Sequence, residues 1–208
     1  MGYDAGMSRC GQQRSVGGFD IVREAASVRR IIGYVPQALS VDGDLTGFEN
    51  LLVFAKLYDI PRAERTRRIR EALAFVDLAD FGDKLVKTYS GGMIRRLEIA
   101  QSTLHRPQVL FLDEPTVGLD PVARISVWEQ IEKLQSEFGS AILLTTHYLE
   151  EAERLCDRVG IMNHGRIAAV GANASFEEVF ERYTSADVVQ QGAYDETSQT
   201  RRSAGRLA

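Results

Sequence analysis

The sequence predicts an α/β fold: a mostly parallel sheet with an α-helical subdomain inserted into it. Three observations carry this. Continuously apolar runs such as Val109–Leu112 and Ala141–Thr146 read as strands buried on both faces, the habit of parallel sheets. Helical apolar periods alternate with them, as βα units require. The stretch from about 38 to 106 holds three helical patterns and no strand candidate, so it reads as the insertion.

In chain order, residues 1–17 are polar and glycine-rich, with no clear period. Ile31-Ile32-Gly33-Tyr34-Val35 is a strand candidate that Pro36 stops. Thr46-Gly47-Phe48-Glu49 is a capping-box pattern, in which Thr46 and Glu49 satisfy each other's open backbone N–H groups. It opens a helix with Leu51, Leu52, Ala55 and Tyr58 as its apolar stripe. Pro61 breaks that helix and starts another, with Ile69, Leu73 and Val76 on one side. This second helix also carries Arg62, Arg65, Arg67, Arg68 and Arg70. A nucleic-acid patch and a solvated face both fit that run, and Glu64 and Glu71 favour the solvated face.

Ser90-Gly91-Gly92 precedes a helix through Ile94, Leu97, Ile99 and Leu104. Pro107 leads into the strand Val109–Leu112. Pro121 starts a long helix with Ile125, Trp128, Ile131 and Leu134 inward, and Gly139 closes it. Ala141–Thr146 is the second buried strand, followed by a short helix around Tyr148–Cys156. A hairpin then turns at Asn163-His164-Gly165, between Val159–Ile161 and Ile167–Val170. Ser175-Phe176-Glu177-Glu178 caps a last helix, and residues 184–208 read as a loose polar tail.

Composition narrows the function. The 208 residues are 44% apolar and 26% charged, ordinary for a globular protein. A chain this long buries roughly 70% of its unfolded surface and needs no staples. The net charge of −4 argues against coating nucleic acid, and no nucleic-acid partner is expected. No apolar run approaches the roughly 18 residues of a membrane span. Met1-Gly2-Tyr3-Asp4 has no basic-then-apolar pattern, so no signal peptide is expected. Cys10 and Cys156 lack metal or redox spacing and read as reduced thiols.

Four places carry candidate chemistry. Asp113-Glu114 stands where a buried strand leaves the sheet. A magnesium ion offsets such a charge pair, one carboxylate holding the ion through water and the other polarising an attacking water. Capping of the next loop explains the pair equally well. Ser90-Gly91-Gly92 at a helix start leaves backbone N–H groups open to a phosphate, and it also fits an ordinary helix cap. His147 follows a strand where a loop can aim it at a ligand, or it is a satisfied loop residue. Gln37 can bridge a metal-bound water and a phosphate, and alone it says little.

Their order says more. Ile32-Gly33-Tyr34-Val35-Pro36-Gln37, Tyr89-Ser90-Gly91-Gly92-Met93, Val109-Leu110-Phe111-Leu112-Asp113-Glu114-Pro115, Gly118-Leu119-Asp120 and Thr145-Thr146-His147 follow one another over residues 32–147. Together they resemble the Q-loop, signature, Walker B with its glutamate, D-loop and H-loop of the ATP-binding-cassette (ABC) nucleotide-binding domain. The resemblance extends to about residue 183. Tyr89 and Met93, where the family commonly has Leu and Gln, are similar to the drug- and polysaccharide-export branch. That branch implies an ABC-2-type transmembrane permease, a second ATP-binding cassette, and the cytoplasmic face of the cell membrane.

The resemblance implies roles. Glu114 would polarise the attacking water, and His147 would contact the γ-phosphate. Asp113 would hold Mg2+ through water, with Gln37 beside it as metal and γ-phosphate sensor. Ser90, Gly91 and Gly92 would face the nucleotide of the partner cassette, and Asp120 would link the two sites. The cofactor implied is Mg2+ with ATP.

One departure is large. The family places a G-x-x-x-x-G-K-[ST] loop before the Q-loop, and none of Lys56, Lys84, Lys87 and Lys133 follows a glycine. Val16-Gly17-Gly18-Phe19-Asp20-Ile21 resembles what normally comes after that loop and its helix. The expectation is an incomplete P-loop NTPase (RecA-like) sheet: an atypical segment 1–17, a truncated cassette over 18–183, and the tail. The loop supplies several charge-assisted hydrogen bonds of about 1.5–3 kcal/mol each, against about 8 kcal/mol for micromolar binding in all. No measurable ATP binding by the chain alone is expected, and exposed apolar surface is. Three readings follow: a truncated transport ATPase subunit, a non-catalytic partner offering its signature in trans, or a non-transport relative working on DNA or ribosomes. The lack of a long coiled-coil insertion and of a second cassette argues against the last.

Overall fold

The computed structural model of the chain describes residues 14–172. The helix expected after Ser175, the tail from 184 and most of segment 1–17 lie outside these residues. The chain divides into two compact units, Met1–Thr146 and His147–Ala208, taken here in turn.

The first unit opens on a small hairpin, β1 (Ser15–Val16) and β2 (Phe19–Asp20). Gly17 and Gly18 turn it at φ +58° and +87°, where a side chain would be strained. The Asp20 carboxylate then accepts from the backbone N–H groups of Val22 and Arg23, at 2.9 and 2.8 Å, leading into α1 (Ala25–Ile31). Those bonds hold the Asp20 carboxyl below its usual range.

Next comes β3 (Ile32–Val35), which pairs in parallel with β4 (Val109–Asp113), and β4 pairs in parallel with β5 (Ala141–Thr145). The order β3-β4-β5 sets Val35, Leu112 and Leu144 in one register row and Tyr34, Phe111 and Leu143 in the next. Val35, Leu110 and Leu112 are buried. On the other face Tyr34 and Leu143 are 55% and 57% exposed. The expectation that Ala141–Thr146 is buried on both faces is therefore corrected. Its strand alternates exposed and half-buried residues, with Ala141, Leu143 and Thr145 exposed.

Between β3 and β4 lie α2 (Gly47–Leu57), α3 (Arg62–Phe75) and α4 (Gly91–Thr103). Thr46 closes the expected capping box: its Oγ1 accepts from Glu49 N at 3.1 Å, and its N–H donates to Glu49 Oε2 at 2.8 Å. Leu51, Ile69, Leu73, Leu97 and Leu104 meet in one buried cluster. The arginine run of α3 is a solvated face that pairs with nearby acids. Arg67 meets Glu71 and Arg68 meets Glu64, each at 2.7 Å, and Arg70 meets Asp83 at 3.1 Å.

After β4, α5 (Pro121–Phe138) ends at Gly139 with φ +62°. Trp128, Ile131 and Leu134 are buried as expected, but Ile125 is 45% exposed. The helix buries residues fully only from Val127 onward, and Ile125 stands on its exposed side.

The second unit holds α6 (Leu149–Leu155) and an antiparallel pair, β6 (Arg158–Asn163) and β7 (Arg166–Ala172). His164 and Gly165 at φ +46° and +74° make a turn whose twist suits a two-residue hairpin. No described helix is long and apolar enough to cross a membrane.

Candidate functional site

Parallel pairing decides what leaves the sheet together. Val35 lies opposite Leu112, so Gln37 and Glu114 each follow two residues later at the C-terminal end of the parallel strands. Asp113 is the last residue of β4 and lies opposite Thr145. The Thr145 hydroxyl donates to Asp113 Oδ1 at 2.5 Å, and the Tyr34 hydroxyl lies 3.5 Å from Oδ2. Glu114 sits at φ +48°, an uncommon conformation for a residue with a side chain. Its N–H donates to Thr145, at 3.0 Å to the carbonyl and 3.2 Å to Oγ1. Thr145 thus holds the Asp113 carboxylate and the Glu114 backbone. Sequence reasoning missed this; the available signal was a hydroxyl residue ending the strand beside the acid-bearing one.

The chain after Glu114 turns tightly, Val117 N bonding Glu114 O and Leu119 N bonding Thr116 O. It arrives at Asp120, which caps α5 by accepting from Val122 and Ala123 N–H at 3.0 and 2.9 Å. Ser90 caps α4 in the same way, accepting from Met93 N at 3.3 Å. The two helix starts abut because α4 begins with glycines. A Cβ on Gly91 would come 3.3 Å from Leu119 Cδ2, and one on Gly92 would come 2.9 Å from Ala123 Cβ. The structure therefore brings Ser90, Gly91 and Gly92 to the turn that carries Asp120.

Gln37 is exposed, and its carbonyl accepts from Arg95 Nη2 at 2.9 Å. His147 heads the second unit, its ring 4.3 Å from that of Tyr148 between centroids. Two titratable groups elsewhere are shifted. Burial pushes the Glu98 carboxyl up, with the Ser40 N–H and Arg95 pulling the other way. Burial pushes the His105 imidazole down, although its Nε2 bonds the Ile32 carbonyl at 3.0 Å.

The donor set suits magnesium but not a nucleotide's triphosphate. Among the described residues no three His, Cys, Asp or Glu gather into a metal cage. Magnesium takes one or two carboxylates and completes its shell with water and phosphate, and Asp113 suits that use. The triphosphate is not matched. Lys87 pairs with Asp44 at 3.1 Å, Lys133 reaches Asp77 at 3.9 Å, and Lys84 covers the Phe81 ring at 4.5 Å. Lys56 sits in the last turn of α2, and none of the four follows a glycine-rich loop.

Known proteins place this arrangement. A family model described as ABC transporter matches residues 7–117, more than half of the chain. The chain is 47% identical over 156 residues to a daunorubicin resistance ATP-binding protein, DrrA3, of Streptomyces coeruleorubidus, covering 75% of this chain and 49% of that protein. It is 40% identical over 157 residues to the linearmycin resistance ATP-binding protein LnrL of Bacillus subtilis, covering 76% and 50%. It is 44% identical over 170 residues to a Nod factor export ATP-binding protein I of Burkholderia thailandensis, covering 81% and 53%. The chain spans about half the length of these relatives. A solved ATP-binding subunit of an ABC transporter superposes with a TM-score of 0.66 at 30% identity, over 80% of this chain and 69% of that one. A parallel sheet with inserted helices, an acid pair at the strand end and a serine-glycine helix start thus come together in a chain that belongs to the ABC transporter family.

Proposed function

We propose that this chain forms the signature- and Walker B-bearing part of an ATP-binding subunit that couples ATP hydrolysis to export. Its partners in this reading are a separate ABC-2-type membrane permease and a second ATP-binding cassette, at the cytoplasmic face of the cell membrane. The observation that carries the reading is the Asp113-Glu114 pair, tethered by Thr145 at the end of the strands from which Gln37 also leaves. The names of the relatives, which speak of drug resistance and Nod factor export, support the export direction.

Each residue has a task in this reading. Asp113 holds magnesium through its water shell, the use that fits a strand-end carboxylate. Glu114 orients and deprotonates the attacking water. His147 and Gln37 contact the γ-phosphate, and Gln37 also relays to the permease. Bound magnesium-ATP supplies the phosphoryl group and the metal charge. Ser90, Gly91 and Gly92 offer N–H groups to the nucleotide held by the partner cassette. Asp120, capping the helix beside them, links the two sites. The helical subdomain, with Phe48–Tyr58 and the α3 arginines, faces the permease.

A second reading is supported by the exposed Ser90 helix start. In it the chain serves as a non-catalytic partner that completes another cassette's site in trans.

A chimera tests the first reading. Residues 14–172 replace the matching stretch of the Nod factor export ATP-binding relative, which supplies the phosphate loop. The chimera is expected to hydrolyse ATP, and Glu114→Gln to abolish turnover while keeping ATP binding. Equal loss of both would refute the base assignment.

A further inference from the structure

Two charged side chains lie deep in the first unit with no part in the chemistry above. Arg95 and Glu98, one turn apart on α4, are 3% and 1% exposed. They meet at 2.9 Å, Arg95 Nη1 to Glu98 Oε2. Neither spends its remaining bonding capacity on its own helix. Arg95 donates to the carbonyl of Pro36 at 2.7 Å and to that of Gln37 at 2.9 Å. Glu98 Oε1 accepts from the backbone N–H of Ser40 at 2.5 Å and from its hydroxyl at 3.0 Å. The pair therefore grips the loop after β3 at positions 36, 37 and 40. Residues 37–40 of that loop are exposed and belong to no helix or strand.

Stability alone does not call for such a pair. Removing two charges from water costs more than their attraction often returns, and apolar residues of similar volume commonly serve as well or better. What the pair adds is a fixed geometry between loop and helix. Arg95 stands five residues from Ser90, about 7 Å along a rigid α-helix.

We propose that Arg95 and Glu98 are positioning residues that clasp the Gln37 loop to α4, so that Gln37 and the Ser90-Gly91-Gly92 helix start move as one body. The functional half of this rests on the reading above, in which Gln37 senses one nucleotide and Ser90 faces the other. The clasp then carries a displacement of the loop at one site to the signature at the second.

The test uses a double variant, Arg95→Met with Glu98→Met, which removes the clasp and leaves an apolar core. In the 208-residue chain, hydrogen exchange at the Ser40 amide is expected to quicken about tenfold with the thermal midpoint not lowered. Glu98→Gln, which keeps an acceptor for Ser40 N–H, is expected to retain most of the protection. In the chimera, the double variant is expected to leave the ATP dissociation constant within about twofold and to cut kcat about tenfold. Unchanged protection at Ser40 would overturn the clasp. So would a general loss of protection with a lowered midpoint, which would make the pair merely structural. Faster exchange at Ser40 with kcat unchanged would overturn the coupling. A chimera that never turns over ATP would count against the functional reading, while exchange in this chain still decides the clasp.

Discussion

Replacing Gly33 by Ala probes the contact on which the site's geometry depends. Gly33 lies in β3, and α4 crosses it closely. An added Cβ would fall inside contact distance of the Ser102 backbone carbonyl, 2.9 Å from Leu110 Cδ1 and 3.2 Å from Pro107 Cγ. Carbon atoms pack best at roughly 3.5–4.0 Å. Leu110 could change rotamer, but the Ser102 carbonyl belongs to α4 and moves only with the helix. Overpacking of a dense core costs about 1–3 kcal/mol, and an immovable neighbour puts this case near the top, about 3 kcal/mol. That is a large share of a stability of about 5–15 kcal/mol. Gly139→Ala is the control. It stands at φ +62° with open space around it, so only backbone strain of about 1–2 kcal/mol is expected. Urea unfolding followed by the emission of Trp128, the single tryptophan, measures both. A Gly33→Ala loss below about 0.5 kcal/mol would refute the close packing of α4 on β3.

Two further predictions concern side chains. Thr145→Val keeps the shape but removes the bond to Asp113 and one of two acceptors for Glu114 N–H. In the chimera kcat is expected to fall about tenfold or more, since a bond to a charged acceptor is worth about 1.5–3 kcal/mol, while Thr145→Ser is expected to restore it. His105 stacks on Tyr58 at 3.7 Å, and burial holds its imidazole below the usual 6.5. A lowered folded value means the contribution is present above pH 6.5 and is lost as pH falls through the folded value. Unfolding midpoints at pH 7.5 and 5.0 should therefore drop more for the wild type than for His105→Gln.

Local signals made much of this legible in the sequence. The Thr46–Glu49 box, Pro61, Gly139 and the His164-Gly165 turn act through neighbours in the chain, and each sits where its pattern says. Helix α1 went unforeseen because only Val28 of its seven residues is buried, which leaves no apolar period to find. Strand β5 misled for the opposite reason: its apolar run is real, but Ala141, Leu143 and Thr145 are exposed. The candidate acids and glycines were legible as types. Thr145, Tyr34, Arg95 and Glu98 were not, since their roles come from partners far along the chain. A charged pair on a helix reads as solvated until the carbonyls of Pro36 and Gln37 are known to lie over it.

The central claim is that these residues supply the metal-holding, water-activating and signature parts of an ATP site and not the triphosphate cradle. Equilibrium binding of magnesium-ATP to the 208-residue chain tests it most directly. The account predicts no saturable binding tighter than about 1 mM, a binding free energy of only about 4 kcal/mol. A micromolar dissociation constant would contradict it, because the chain would then hold a phosphate cradle of its own.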